Sequence, residues 1–540
     1  MNRPYSVGVA VNNDTTKSQP CKITIGDPSQ HVTGETSLNV APGSRHIVPI
    51  QSPIGNYYLQ ITIESSRSSS KPTQIRTNPV SDTDTVALVL TRVGTEFAYL
   101  AGYKALLSGG DLHLNYPPRE APLPTSFTSY LGHDLIILYD LPRLNLAPEV
   151  LDALIEWTRV GGTLVLVSNG DAGEYRGTVL APLVDDAVGR RRLSSTTWAR
   201  PLNEGQIIHI AVPVTDQKRL GLSATQELWK SVFQAYATNC PFAKERFAQE
   251  SRLAHPSELP TPSAGAIAWY LVIYVLVVIP ANYWILRRKD KMLWLIVTVP
   301  VVSSAIAGIS FAVNAAQHGS ETVLRELGVA VIANHSAAAV SDHGLMLFSP
   351  RTNRFKIEYP KNSYLRPLEM DLGGYSQKDC HLVSEGDSSY YRDYTIPMWS
   401  LARFRSTALH PLDGPVHLAV EPSGSNYRLK IENGSGLTLS HCSYTDGRNL
   451  SQFFDLGPGT NSVEAQMHPA SQSEALAEFE SGTTTEDKTG LAHQIPRLMR
   501  AGLIGWSLDL RLSSGVKLDR PVKHFSTTLV LIPFQRRAKP

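Results

Sequence analysis

Ala266–Leu286 reads AIAWYLVIYVLVVIPANYWIL and Met292–Val313 reads MLWLIVTVPVVSSAIAGISFAV, and neither stretch holds a charged residue. At 1.5 Å of rise per residue, about 20 residues cross roughly 30 Å of hydrocarbon, and each stretch reaches that length. Arg287, Arg288, Lys289, Asp290 and Lys291 lie between them. The pattern predicts a transmembrane helical hairpin over 266–313, with a basic loop at 287–291 and a large polar region on either side. Everything else in the chain is read outward from that hairpin.

Cations beside membrane spans stay preferentially in the cytoplasm. The outer flanks, Ser257–Pro262 and Asn314–His318, are nearly neutral, so Arg287, Arg288, Lys289 and Lys291 are expected inside. Both large regions then lie outside, giving a two-pass protein of the cell membrane with extracytoplasmic N- and C-terminal regions. The opening MNRPYSVGVAVNND has no apolar core of a signal peptide, and a start upstream of Met1 is the expected explanation. The 540 residues are too many for one core, and a net charge of +2 with no basic domain argues against nucleic acid as a partner. The run Arg190-Arg191-Arg192 reads as a solvated turn.

Residues 1–80 alternate in short strands separated by Asn12-Asn13-Asp14, Gly26-Asp27-Pro28 and Ala41-Pro42-Gly43-Ser44, the grammar of an immunoglobulin-like β-sandwich. Across 81–250 the grammar becomes α/β. Thr85–Leu90, Asp134–Tyr139, Thr163–Val167 and Gln206–Val212 are apolar runs suited to strands covered on both faces. Helices are expected at Pro148–Val160, capped by Asn145 and ended by Gly161-Gly162, and at Ser223–Thr238. Strand–helix–strand order implies a parallel sheet. A Pro-rich linker, 251–265, leads to the membrane.

Inside the hairpin, Pro280 and Pro300 each remove a backbone donor and are expected to bend their helices, while Ser304 and Gly308 form a small-residue pair suited to close helix packing. The region 314–540 is β-rich, with strands expected at Leu324–Ile332, Gly344–Phe348, Phe355–Tyr359, Val416–Val420, Tyr427–Glu432 and Thr527–Pro533, and a short helix at Leu491–Arg500.

The motifs Pro280-Ala281-Asn282-Tyr283, Leu286-Arg287-Arg288 and Trp294, with the outer elements Arg428–Asn449 and Phe453–Thr460, carry a resemblance. The arrangement is similar to a family of bacterial membrane proteins with an Ig-like segment, a degenerate glutamine-amidotransferase-like domain and a two-helix hairpin, related in architecture to auxiliary membrane subunits of ABC transporters. That resemblance implies an amidotransferase-like fold for 81–250, a missing leader and partners in a membrane complex.

An amidotransferase nucleophile is a Cys at a strand-to-helix elbow, standing proud beside backbone donors. Here the turn after Thr163–Val167 is Ser168-Asn169-Gly170-Asp171, without Cys and without the glycines of a serine elbow. A Ser168/Asp171/His209 arrangement can be written, but His209 falls inside a strand. A ligand cleft remains expected beyond the carboxyl ends of the parallel strands, at Arg92–Thr95, Asp140–Pro142 and Ser168–Asp171, with Arg92, Asp140, Ser168, Asn169 and Asp171 as its candidates. Four cysteines are too few for a disulfide scaffold, and Cys380–Cys442 is the candidate bridge because both lie in one region. Cys380-His381 and His441-Cys442 have a zinc inventory, but neighbours on a strand point to opposite faces, so no metal is expected there. No phosphate-binding glycine loop is present, and no cofactor is expected.

The expectation is a non-enzymatic, membrane-anchored binding or assembly protein, an accessory subunit of a transport or envelope complex whose partners are the lipid bilayer and other proteins. The alternative is an envelope hydrolase or amidotransferase relative with an unrecognised nucleophile.

Overall fold

The computed structural model describes residues 5–533 except 27–31, 53–57, 66–72, 77–83, 95, 103–109, 118–121, 169–171, 186–189, 220–221, 240–263, 290, 319–320, 369–370, 373–374, 377–379, 386–387, 424–425, 447–448, 470–501 and 508. Thr95, Asn169, Asp171, Cys240, most of the linker and the helix expected at Leu491–Arg500 lie outside the described residues.

The N-terminal strands are β1 (Tyr5–Asn12), β2 (Gln19–Gly26), β3 (Val32–Val40), β4 (Arg45–Ser52), β5 (Tyr58–Ser65) and β6 (Thr73–Arg76). β1 pairs with β4, while β2, β3, β5 and β6 belong to a second sheet. Val9, Val11, Ile23, Ile25, Val40, Ile50 and Ile61 form the apolar core between them.

The next region is organised on β7 (Thr85–Leu90), β8 (Leu112–Asn115), β9 (Leu135–Tyr139), β10 (Thr163–Val167), β11 (Arg191–Arg192), β12 (Thr197–Leu202) and β13 (Gly205–Ile210). In space the order is β11-β12-β13-β10-β9-β7-β8. The run from β13 to β8 is parallel, and β12 and β11 add an antiparallel edge. Counted along the chain, the parallel strands lie in the order 2-1-3-4-5, a doubly wound arrangement. β9 and β10 are buried at every position, which is why their sequences are unbroken apolar runs. The helices here are α1 (Leu141–Leu144), α2 (Pro148–Arg159), α3 (Ala181–Asp185), α4 (Val214–Arg219) and α5 (Leu222–Asn239). Asn145 does not cap α2: it takes a left-handed conformation at the end of α1, and Ala147 precedes Pro148 at the start of α2. Proline at the first helical position is pre-set to the helical φ and lacks an N–H that would go unpaired there, so Pro148 starts α2 without a side-chain cap. Within the basic run Arg191 and Arg192 form the edge strand β11 on β12, and the Arg190 guanidinium lies 4.4 Å from the Trp198 ring centre.

Helix α6 (Ala264–Leu276) passes through a π-turn at Val277–Ala281 into α7 (Asn282–Arg288), and α8 (Leu295–His318) returns. Two spans here, Ala268–Arg288 and Met292–Ser310, are long and apolar enough to cross a membrane, and 11% and 0% of them is buried. Pro280 lies in the π-turn, whereas Pro300 sits inside a continuous α-helix. Nothing lies within 4 Å of a side chain built at Gly308, so the Ser304/Gly308 pair does not pack within the hairpin. The helices meet instead through Tyr270–Ser310 (2.5 Å), Tyr274–Ser303 (3.1 Å) and Asn282–Thr298 (2.9 Å).

Beyond the hairpin run β14 (Val323–Ile332), β15 (Ala338–Ser349), β16 (Asn353–Pro360), β17 (Ser363–Pro367), β18 (Asp371–Leu372), β19 (Tyr375–Ser376), β20 (Cys380–Glu385), β21 (Ser388–Ile396), β22 (Ser400–Pro411), β23 (Val416–Ser423), β24 (Asn426–Asn433), β25 (Leu439–Thr445), β26 (Asn449–Ser451), β27 (Phe454–Leu456), β28 (Gly459–Ala465), β29 (Met467–Pro469), β30 (Gly502–Ser507), β31 (Lys517–Leu518) and β32 (Lys523–Pro533). They build a ten-stranded sheet, a three-stranded sheet β23-β24-β28, and half of an eight-stranded sheet ordered β31-β16-β21-β20-β3-β2-β5-β6. That last sheet takes strands from both sides of the hairpin, joined where β20 pairs in parallel with β3. Glu35 of β3, buried at the junction, accepts a hydrogen bond from Arg392 (2.9 Å) and lies 2.9 Å from Lys22 Nζ and 3.1 Å from His381 Nδ1.

The expected Cys380–Cys442 bridge does not form. Cys380 sits in the core of Leu382, Tyr391 and Tyr394, and Cys442 in a separate core of Leu439, Tyr444 and Leu456. Both are free, buried thiols, pushed up to about 12 chiefly by burial, with Asp393 and Asp455 adding to it. Lying in one region of sequence did not put them in one layer.

Candidate functional site

In a doubly wound sheet, crossovers leave in opposite directions at one point, and the crevice beyond the carboxyl ends of the strands there stays open. In this chain that point falls between β7 and β9, because β7 continues to β8 on one side and β9 to β10 on the other. Arg92 and Asp140, both expected in the cleft, follow these two neighbouring strands directly.

Asp140 is the first residue beyond β9. Its backbone is left-handed (φ 58°, ψ 51°), a conformation that costs an L-residue roughly 1 kcal/mol, and its side chain is buried. Its carbonyl accepts from the N–H groups of Arg143 (3.0 Å) and Leu144 (3.2 Å), starting α1, and its carboxylate meets Arg143 NH1 at 3.4 Å. Beyond β7, Thr91 donates its hydroxyl to Glu96. Tyr139 stands among these charges: burial raises its phenol most, Glu96, Asp140 and Glu174 raise it further, and Arg143 opposes them. Tyr116 is raised by burial and then by Glu96. Arg92 is solvent-exposed at the rim. The switch point therefore gathers the carboxylates of Glu96, Asp140 and Glu174 and the Arg143 guanidinium near the Tyr139 phenol, with Arg92 at the rim.

Of the third cleft neighbourhood only Ser168 is described, and it turns inward. Ser168 is fully buried, its N–H bonds the Ile210 carbonyl at 3.0 Å, and its hydroxyl points to the same oxygen at 3.5 Å. It is tied to β13 rather than standing proud of the sheet. His209 is also buried, with no hydrogen-bond partner on either nitrogen among the described residues. Its ring stacks on Trp198 at 5.1 Å and meets the edge of Tyr175 at 5.8 Å. Burial, reinforced by Arg190, pushes its imidazole down to about 4, so the ring is neutral. Ser168 and His209 thus face backbone and aromatic rings, not each other, and Asp171 is outside the described residues. Ser168 and His209 therefore do not form a nucleophile–base pair.

Sequence reading missed Gln217, which fixes this edge of the sheet. Its amide oxygen accepts from Tyr99 (2.9 Å) and Trp229 (3.1 Å), and its nitrogen donates to the Val212 carbonyl (2.7 Å). A glutamine in a short amphipathic segment carries no pattern that would single it out. Among the described residues no group of three or more His, Cys, Asp and Glu side chains is arranged to hold a metal.

No protein-family model and no curated protein matches the chain. Among solved structures, the yeast delta-COP-I mu-homology domain complexed with a Dsl1 WxWxV peptide aligns at 9% identity and a TM-score of 0.22, over 39% of this chain and 96% of that one. The yeast delta-COP-I mu-homology domain alone aligns at 8% identity and a TM-score of 0.19, over 39% and 96%. Likenesses this slight are no guide to its function.

Proposed function

We propose that this is a membrane-anchored, non-enzymatic binding or assembly protein whose bulk lies outside the cytoplasm, serving as an accessory subunit of a transport or envelope complex, as its likeness to the auxiliary subunits of ABC transporters implies. The observation that carries the reading is the eight-stranded sheet: β2, β3, β5 and β6 precede the hairpin and β16, β20, β21 and β31 follow it. A bilayer cannot run through a hydrogen-bonded sheet, so both flanks lie on one side and the spans form a return hairpin. Among the described residues only the loop around Arg288 reaches the other side, and its cations favour the cytoplasm. Trp284 and Trp294 sit beside that loop, and Trp269 near the opposite end, where aromatic side chains anchor at the two interfaces. Two helices cannot enclose a solute path, whereas the folded mass outside presents broad surfaces. The cleft between β7 and β9 is the place on that mass to receive a small polar ligand.

The test is accessibility in intact cells. Single cysteines at Arg288 and at the exposed Ser462 are treated with a membrane-impermeant thiol reagent. Labelling at 462 in intact cells, with 288 labelled only after permeabilisation, is the expected result. The reverse pattern sinks the reading. Purification from native membranes in mild detergent then asks for the partner: a protein that emerges alone and monodisperse is not an accessory subunit.

A further inference from the structure

We propose that His335 and His417 form a surface site for a divalent transition-metal cation, such as Zn²⁺ or Cu²⁺, which ties the ten-stranded sheet to the three-stranded one. His335 lies three residues beyond the end of β14, and His417 is on the outward face of β23. Their rings are 4.5 Å apart between centres and tilted by 56°, with the two Nδ1 atoms facing each other at 2.5 Å. This convergence is built into the backbone. His335 holds a left-handed φ of 68°, and its N–H donates to the Val416 carbonyl at 2.8 Å. The neighbouring Asn334 clamps the same strand with both ends of its side-chain amide, donating to the Leu418 carbonyl (3.1 Å) and accepting from its N–H (2.9 Å).

A neutral pair of imidazoles can share one hydrogen bond here, but only one ring then uses its Nδ1 lone pair, and a net hydrogen bond of this kind is worth about 1 kcal/mol. A cation uses both. Nitrogen ligands sit 2.0–2.1 Å from tetrahedral zinc, so two on one ion lie about 3.3 Å apart, and the rings need part by roughly 0.8 Å. His335 is exposed and His417 half-buried, which leaves room for water to complete the shell. Glu432 stands directly opposite His417 in the register of β23 and β24, and Lys430 follows diagonally on the same face of β24. Imidazole ligands suit zinc, copper and nickel over calcium or magnesium.

The test uses the full chain in detergent, prepared without a polyhistidine tag and stripped with chelator. Zn²⁺ is titrated calorimetrically, and Cu²⁺ is added for electron paramagnetic resonance. The expected results are one Zn²⁺ per chain, a Cu²⁺ spectrum with nitrogen hyperfine splitting, and a melting temperature raised by Zn²⁺. His335→Asn, which keeps a residue tolerant of the left-handed backbone, and His417→Thr should each weaken Zn²⁺ binding at least tenfold and abolish the melting shift. Metal-free melts matching the parent protein show that both variants fold. No binding by the parent protein at 1 mM Zn²⁺, or binding undiminished in both folded variants, overturns the site.

Discussion

Ser168 is one residue beyond β10, where an α/β hydrolase would present its nucleophile, and its hydroxyl turns inward to the Ile210 carbonyl. A fluorophosphonate probe should therefore leave the purified protein unlabelled; modification at Ser168 would reinstate the hydrolase reading. His209, one residue before Ile210, and His410, whose Nε2 meets the Ser341 hydroxyl at 2.6 Å, govern a second prediction. Each imidazole is pushed down to about 4, His209 by burial and then Arg190, His410 by burial and then His343. The unfolded chain, titrating near 6.5, binds more protons than the folded one between those values, so each ring contributes stability at neutral pH that is lost as pH falls from 6.5 towards 4. The loss is at most about 3 kcal/mol per ring. His209→Phe, which keeps the stacking on Trp198 and cannot be protonated, should flatten the drop in denaturant midpoint between pH 7.5 and 5. An unchanged drop would remove His209 from the account. The Glu326–His524 pair (3.1 Å) acts on both sides of that window. His524 is raised by its pairing with the Glu326 carboxylate, so its contribution is present at low pH and lost as pH rises; Glu326, which burial would raise, is held low by the pairing with His524, the His343 ring and the Ser514 hydroxyl, and loses its contribution as pH falls.

At the scale of elements, legibility followed how each strand is buried. TVALVL and TLVLV announce β7 and β10 because both their faces are covered, and the two candidate spans announce themselves by the same uniform apolarity. β8 was invisible because LHLN is four residues of mixed polarity at an edge, and β12 because TWARPL carries a proline and is only partly buried. The places of Arg92 and Asp140 just beyond two neighbouring strands were legible because position after a strand is a sequence property. The inward turn of Ser168 was not, because it depends on where the next strand's carbonyls fall. The hairpin shows the same division: its length is written in composition, but its packing rests on hydroxyl and amide pairs rather than on the Ser304/Gly308 stripe. Asn282 donates to Thr298 at 2.9 Å, and Tyr274 to Ser303 at 3.1 Å. Interhelical hydrogen bonds in membranes are worth about 0.6 kcal/mol on average. Asn282→Leu combined with Tyr274→Phe should thus lower resistance to denaturing detergent by about 1 kcal/mol, whereas Gly308→Ala, with open space around it, should change nothing. Equal losses from both would place the helix contact on the small residues after all.

For the whole molecule, the decisive pairing is the one with no local trace. β3 and β20 are joined in parallel, and the Arg392–Glu35 hydrogen bond spans 357 residues of sequence. Alternation in residues 1–80 gave the strands and their inner faces, but nothing in that segment states that its sheet is completed by residues from the far side of the membrane hairpin. Cores are shared as well: Ala338, Val340 and Leu409 pack with Leu138, Leu154 and Trp157 beneath the parallel sheet, and Asn203 donates to the Ala338 carbonyl at 3.0 Å. The flanks should consequently unfold together. Glu35 is almost wholly buried, yet Lys22 and Arg392 keep some 40% of their side chains in water and can be rehydrated. Glu35→Ala should then cost about 2 kcal/mol, less than breaking a fully buried pair. Hydrogen exchange distinguishes a local effect from a shared one. In the variant, amides of β3 and of β20 and β21 should lose protection by the same factor although the substitution lies only in β3. Loss confined to residues 1–80 would mean the flanks are merely neighbours, and the argument that both lie on one side of the bilayer would lose its footing.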